Sequence, residues 1–146
     1  MIQQRIRILV LVLGTALAVA GFRGPTAAGQ EETLVITPGM QYDYALSLFE
    51  QKDYATAQVE FKRFLHFFPH SPKTDQARFH LGICLYELKS WHNAAQEFNT
   101  IIVKDEPGPV TREAYFFQSL AFEKMGNIGY AQIVLQNFLK LADDGQ

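Results

Sequence analysis

The chain has 146 residues, of which 48% are hydrophobic and 19% charged, with one cysteine and a formal net charge of −2. That length allows one domain, or a short repeat array behind a targeting segment. The apolar content excludes a disordered chain, a single cysteine excludes an internal disulfide or a multi-thiolate metal site, and near-neutral charge argues against nucleic acid as a partner.

The apolar residues are uneven along the chain, and residues 1–28 hold 17 of them. Arg5 and Arg7 open this segment, and no acid precedes Glu31. Ile8 to Ala20 then runs apolar except for Gly14 and Thr15, and small residues follow at Ala18-Val19-Ala20 and Thr26-Ala27-Ala28. A basic start, a short apolar stretch and a small-residue end predict a secretory signal peptide over 1–28, cleaved after Ala20 or near Ala28. Thirteen helical residues span roughly 20 Å against a hydrocarbon core of roughly 30 Å, so an uncleaved inner-membrane anchor is the weaker alternative. Cys84 lies far downstream of the apolar stretch, so no lipid anchor is expected. Removing Arg5, Arg7 and Arg23 with this segment takes the net charge from −2 to −5. The expected product is an acidic, soluble, exported domain, periplasmic in a bacterium, with no affinity for phosphate backbones. Residues 29–39, with glycine, threonine, proline and acids, read as a flexible lead-in.

From residue 40 onward the sequence repeats with a period of 37. Ala57, Ala94 and Ala131 share one column. Large apolar columns are Leu48, Leu85, Phe122; Phe61, Phe98, Leu135; Phe64, Ile101, Phe138; and Leu65, Ile102, Leu139. Small columns are Ala45, Gly82, Ser119 and Ser47, Cys84, Ala121. Asp53, Ser90 and Asn127, whose side chains accept bonds from free helical N–H groups, are placed to open second helices. Ser71-Pro72 and Gly108-Pro109 are placed to open first helices, with proline at the first helical position. Apolar spacings of three and four between these signals predict helices near 40–52, 54–68, 73–89, 91–104, 110–125 and 128–142. The units run about 40–71, 72–108 and 109–144 within a domain of 40–146. A single helix pair cannot bury its own apolar face, so neighbouring pairs must stack. The fold expected is all-α: an α-α superhelix of three helix-turn-helix repeats.

This pattern resembles the tetratricopeptide repeat. A small residue sits in mid first helix (Ala45, Gly82, Ser119), a bulky one three positions on (Leu48, Leu85, Phe122), and an aromatic before the second helix's alanine (Tyr54, Trp91), with Pro69 closing the first unit. The 37-residue length and the Phe67-Phe68-Pro69-His70-Ser71-Pro72 turn are similar to a longer variant. That variant is found in repeat modules of the Tol-Pal-associated periplasmic cell-division coordinator and of the β-barrel assembly lipoprotein. The chain departs from the first in having no coiled-coil segment before the repeats, and from the second in having no lipid-bearing cysteine.

The resemblance implies that first-helix positions line a concave inner wall: Tyr42, Leu46, Phe49 and Glu50; Phe79, Ile83, Tyr86 and Glu87; Phe116, Leu120, Glu123 and Lys124. Tyr42, Phe79 and Phe116 recur at the 37 spacing as an aromatic ladder. Such a wall with an acidic edge suits an extended or helical apolar segment of a protein or peptide partner; the alternative is that the ladder is only packing between successive first helices. Other chemistry is absent from the pattern. His66 and His70 are four apart, but Pro69 between them breaks the helix and no His-Glu-x-x-His pairing exists, so His66, His70, His80 and His92 read as solvated or capping side chains. Cys84 shares its column with serine and alanine and reads as a buried packing residue. No glycine-rich phosphate loop, nucleophile elbow or carboxylate pair appears, so no enzyme activity and no cofactor or metal are expected.

The sixth helix carries apolar residues on many sides, among them Ile133, Val134, Phe138 and Leu141. Repeat arrays usually finish with a polar capping helix. The expectation is self-association into a homodimer or partner docking through this end, an early stop in a longer array, or an exposed apolar patch. The function expected is a non-enzymatic protein-interaction adaptor of the bacterial cell envelope. The alternative is a structural subunit or chaperone-like factor of an outer-membrane or cell-division complex, docking through the last helix.

Overall fold

The computed structural model describes residues 35–104 and 106–144, with side chains through Lys140. The expected signal peptide and residues 29–34 of the lead-in lie outside the described residues, as does the side chain of Leu141. The described elements are six helices: α1 (Pro38–Glu50), α2 (Tyr54–Phe67), α3 (Thr74–Glu87), α4 (Trp91–Ile102), α5 (Thr111–Lys124) and α6 (Ile128–Asp144). All six match the expected sequence, and their ends differ by at most a few residues from those read off the apolar spacing.

The helix ends show which local signals were sufficient. Helix α1 starts two residues early because the Thr37 hydroxyl accepts from the Met40 N–H at 3.2 Å and Pro38 occupies the first helical turn. Asp53 caps α2, its Oδ1 accepting from Thr56 N–H at 3.2 Å. Ser90 stands at the same place before α4 but makes no side-chain cap bond. Pro72 and Pro109 do not occupy the first helical position: α3 and α5 begin two residues later, at Thr74 and Thr111. Each proline sits inside a turn closed by Thr74 N–H to the Ser71 carbonyl (3.0 Å) or Thr111 N–H to the Gly108 carbonyl (3.2 Å). The threonine hydroxyls reinforce those turns, Thr74 donating to the Ser71 carbonyl and Thr111 accepting from Gly108 N–H.

The turn inside each repeat is the same object three times. Lys52, Lys89 and Gly126 lie 37 apart, and all have positive φ, at 62°, 61° and 77°. Each forms the left-handed C-terminal stop of a first helix, with paired bonds back into the last turn. Lys52 N–H reaches the Phe49 carbonyl and Asp53 N–H the Leu48 carbonyl; Lys89 and Ser90 reach Tyr86 and Leu85; Gly126 and Asn127 reach Glu123 and Phe122. The carbonyl-bearing residues Leu48, Leu85 and Phe122 are the large apolar column of the sequence. The residue that completes each stop is the one that begins the second helix, so the hairpin has no slack.

Consecutive helices pack along the whole array. Beyond chain neighbours, α1 touches α3 and α3 touches α5, whereas α2 and α4 do not touch. First helices therefore converge on one side, giving an inner wall, and second helices splay on the other. The core runs through the joints: Ala45, Ala57, Phe61, Phe64, Ala77, Leu81, Cys84, Ala94, Phe98, Ile101 and Ala114 are buried. The small column allows this closeness. A Cβ placed on Gly82 would stand 2.5 Å from the Phe98 ring, so alanine does not fit without moving a fully buried side chain. Polar ties set the register within pairs. Gln41 Nε2 donates to Glu60 at 2.7 Å from α1 to α2, and Arg78 binds Glu97 at 2.7 Å from α3 to α4; Arg63, on α2 itself, holds Glu60 in place at 2.8 Å. The matching positions in the third pair are Tyr115 and Val134, an apolar pairing.

Candidate functional site

The inner wall gathers most of the expected residues, in unequal environments. Tyr42 is 5% exposed and sits edge-on to Phe61 and Phe64, with Lys73 Nζ 4.4 Å from its ring centroid. It belongs to the core rather than to an accessible wall, and burial together with the nearby Asp43 raises its phenol pKa. Leu46, Phe49, Phe79, Ile83, Tyr86 and Leu120 are half-buried, while Phe116 is 42% exposed. Glu50, Glu87, Glu123 and Lys124 are exposed along the edge. The ladder of Tyr42, Phe79 and Phe116 is thus not uniform, changing from buried to open along the array.

The rings that join successive first helices were not in the expected ladder. They are His80 and Phe117, again 37 apart. His80 stacks on Phe61 at 5.5 Å and meets Phe49 (5.0 Å), Tyr42 (6.2 Å) and Phe79 (5.8 Å). Phe117 meets Phe79 (5.6 Å), Tyr86 (6.4 Å) and Phe98 (5.9 Å). Each is a wedge driven into the preceding pair. The reading of His80 as solvated or capping is therefore corrected. The 37-residue spacing between His80 and Phe117 was the available signal, masked by Asp43 at the matching position of the first unit. The His80 Nδ1 lies 2.7 Å from the Gln76 carbonyl, which makes this nitrogen the donor. Desolvation lowers the His80 pKa, against the opposing pull of that carbonyl and of Glu50.

Cys84 is fully buried and its thiol is pushed up to about 12 by desolvation, so it stays protonated, as a packing residue would. Among the described residues no group of three His, Cys, Asp or Glu side chains could hold a metal ion. None of the described helices is long and apolar enough to cross a membrane. His92 lines a shallow depression of about 400 Å³ between α4 and α5, together with Asn99, Gln118 and Phe122.

At the far end, Ile133 is exposed, Val134 is half-buried, and half-buried Phe138 meets Phe116 at 6.3 Å. Ile128, Tyr130, Leu135 and Leu139 are exposed as well. Tyr130 stacks on Phe122 at 5.6 Å.

Residues 40–71 and 76–105 match the family model for the tetratricopeptide repeat. No curated protein matches the chain. Among solved structures, the chain is similar to the crystal structure of the tetratricopeptide domain of Arabidopsis FLU. The TM-score is 0.65 at 14% identity, and the match covers 73% of this chain and 95% of that one. Two of the three units thus match the tetratricopeptide repeat model, and the fold is similar to that of a tetratricopeptide domain.

Proposed function

We propose that this chain is a non-enzymatic adaptor, exported to the bacterial cell envelope, that captures a polypeptide segment on its inner wall. One observation carries the reading: apolar side chains continue from Leu46 and Phe49 through Ile83 and Tyr86 to Leu120 and Phe116 without full burial, beside exposed Glu50, Glu87 and Glu123. A segment that is apolar along one face and basic at its margin complements that surface. The 37-residue period and the resemblance to repeat modules of envelope proteins support the location, as does the basic, apolar, small-residue order of residues 1–28.

The test is a peptide-array screen for apolar-basic segments, followed by titration against variants. Leu120→Ala and Phe116→Ala are expected to weaken binding about tenfold or more while the melting temperature moves by only a few degrees. Phe79 is a poor probe, because its ring is wedged against Phe98 and Phe117 and its truncation costs stability directly. Unchanged affinity in both variants would sink the inner-wall reading.

A second reading has its own observation. Leu135 is 40% exposed where its counterparts Phe61 and Phe98 are fully buried, which favours an assembly subunit docking through α5 and α6.

A further inference from the structure

The end face of α5 and α6 can be compared, position by position, with two faces whose occupants are visible. Ala57 and Ala94 are fully buried; Ala131 is not. Leu65 and Ile102 are half-buried; Leu139 is 53% exposed. Two adjoining depressions of about 250 and 370 Å³ lie along this face, sharing Gln132 and Leu135; Ile128, Ala131 and Leu139 line them further, with Glu123 and Gln136 among their polar side chains. What covers the matching face of the first pair is α3, and what covers that of the second is α5.

These two occupants share a pattern. Ala77 and Ala114 are fully buried at the close-approach point. Three residues on, His80 and Phe117 drive a ring between the helices of the preceding pair. The next residues, Leu81 and Gln118, are buried, and four residues after each ring comes a fully buried small residue, Cys84 or Ala121. Gln118 also fixes register, its Nε2 donating to the Ala95 carbonyl at 3.1 Å and lying 3.4 Å from Asn99 Oδ1. On the open face Gln136 stands where Asn99 stands, offering an amide at the same point.

A second copy of this chain is the obvious rival occupant, adding its α1 head to tail. The matching residues of α1 argue against it. Met40 would fall where alanine is required, and Asp43 would fall at the ring position. By the repeat offset, that position faces Phe116, Leu135 and Glu123, so Asp43 would lose water to apolar side chains while facing a like charge.

The geometry points to an amphipathic helix of a partner protein as the occupant of the α5–α6 end face, bearing the order small-x-x-aromatic-(Leu or Gln)-x-x-small with no acid at the ring position. This inference rests on the end-docking reading and adds the chemistry of what docks.

The probe is a fluorescent peptide copying Val110–Met125, titrated into the full chain and followed by anisotropy. Saturable binding is expected. Leu135→Asp or Leu139→Asp in the chain should weaken it about tenfold or more, with helicity and melting checked by circular dichroism; both side chains are already exposed, so folding should survive. A peptide with Phe117→Asp should bind about tenfold more weakly or not at all, and Glu50→Gln, exposed at the other end of the inner wall, should change nothing. No saturable binding, or binding indifferent to Leu135, Leu139 and the peptide's ring, overturns the inference. Light scattering separates the two levels of failure. A chain that dimerises and is made monomeric by Leu135→Asp, yet ignores the peptide, keeps end docking and refutes this occupant. A monomer that ignores the peptide refutes both.

Discussion

Gly82 shows how one side chain sets the spacing of a whole joint. Because its missing Cβ makes room for the Phe98 ring, Gly82→Ala should destabilise the domain by about 1–3 kcal/mol, read as a lower denaturation midpoint at unchanged m-value. Lys52 and Lys89 carry a different cost. A left-handed conformation costs a non-glycine residue roughly 1–2 kcal/mol, partly offset by the roughly 0.5–1 kcal/mol that glycine loses in chain entropy. Lys89→Gly should therefore stabilise by up to about 1 kcal/mol, and Gly126→Ala should do the reverse. His80 brings pH into the core. Its folded-state pKa is lowered, so the unfolded chain takes up the proton first as pH falls. Its contribution is full above about pH 6.5 and is lost as pH falls through the folded-state pKa. His80→Phe, which installs the ring found at Phe117, should shrink the drop in melting temperature between about pH 7.5 and about pH 5. An undiminished drop would assign that sensitivity to other groups.

At the scale of the helix, much was legible because both signals involved are local. Apolar spacing gave the six helices, and Asp53 gave a true cap. Asp53→Ala should cost about 1 kcal/mol, whereas Ser90→Ala should cost little because Ser90 makes no side-chain cap bond. Thermal melts of the two variants side by side check the difference. What sequence alone did not yield was the turn geometry. Serine is a good cap by type, yet its hydroxyl here is not engaged, and a proline near a helix start is as well suited to the preceding turn as to the first helical residue. The positive φ of Lys52 and Lys89 was hidden because lysine gives no hint of it; only Gly126 in the same column did.

For the molecule as a whole, the period of 37 made the architecture readable, since a fold built from neighbour contacts is fixed once one unit and its offset are known. The inner wall was less readable. A column states that residues are equivalent in sequence, while burial depends on what stands on either side, so Tyr42 is enclosed and Phe116 is open within one column. The same logic predicts a gradient of local stability. Helix α3 packs against α1, α2, α4 and α5, whereas α6 packs against α5 alone among the described helices, so amide exchange should be slowest in α3 and fastest in α6. Equal protection across all six would contradict it.

The convergence of α1, α3 and α5, set against second helices that do not meet, also fixes how the array responds to load. Flattening it strains narrow seams between first helices and leaves the turns and the joints within pairs intact. Any change of curvature to suit what the domain holds would therefore be felt first at the α1–α3 and α3–α5 seams, where the array is thinnest.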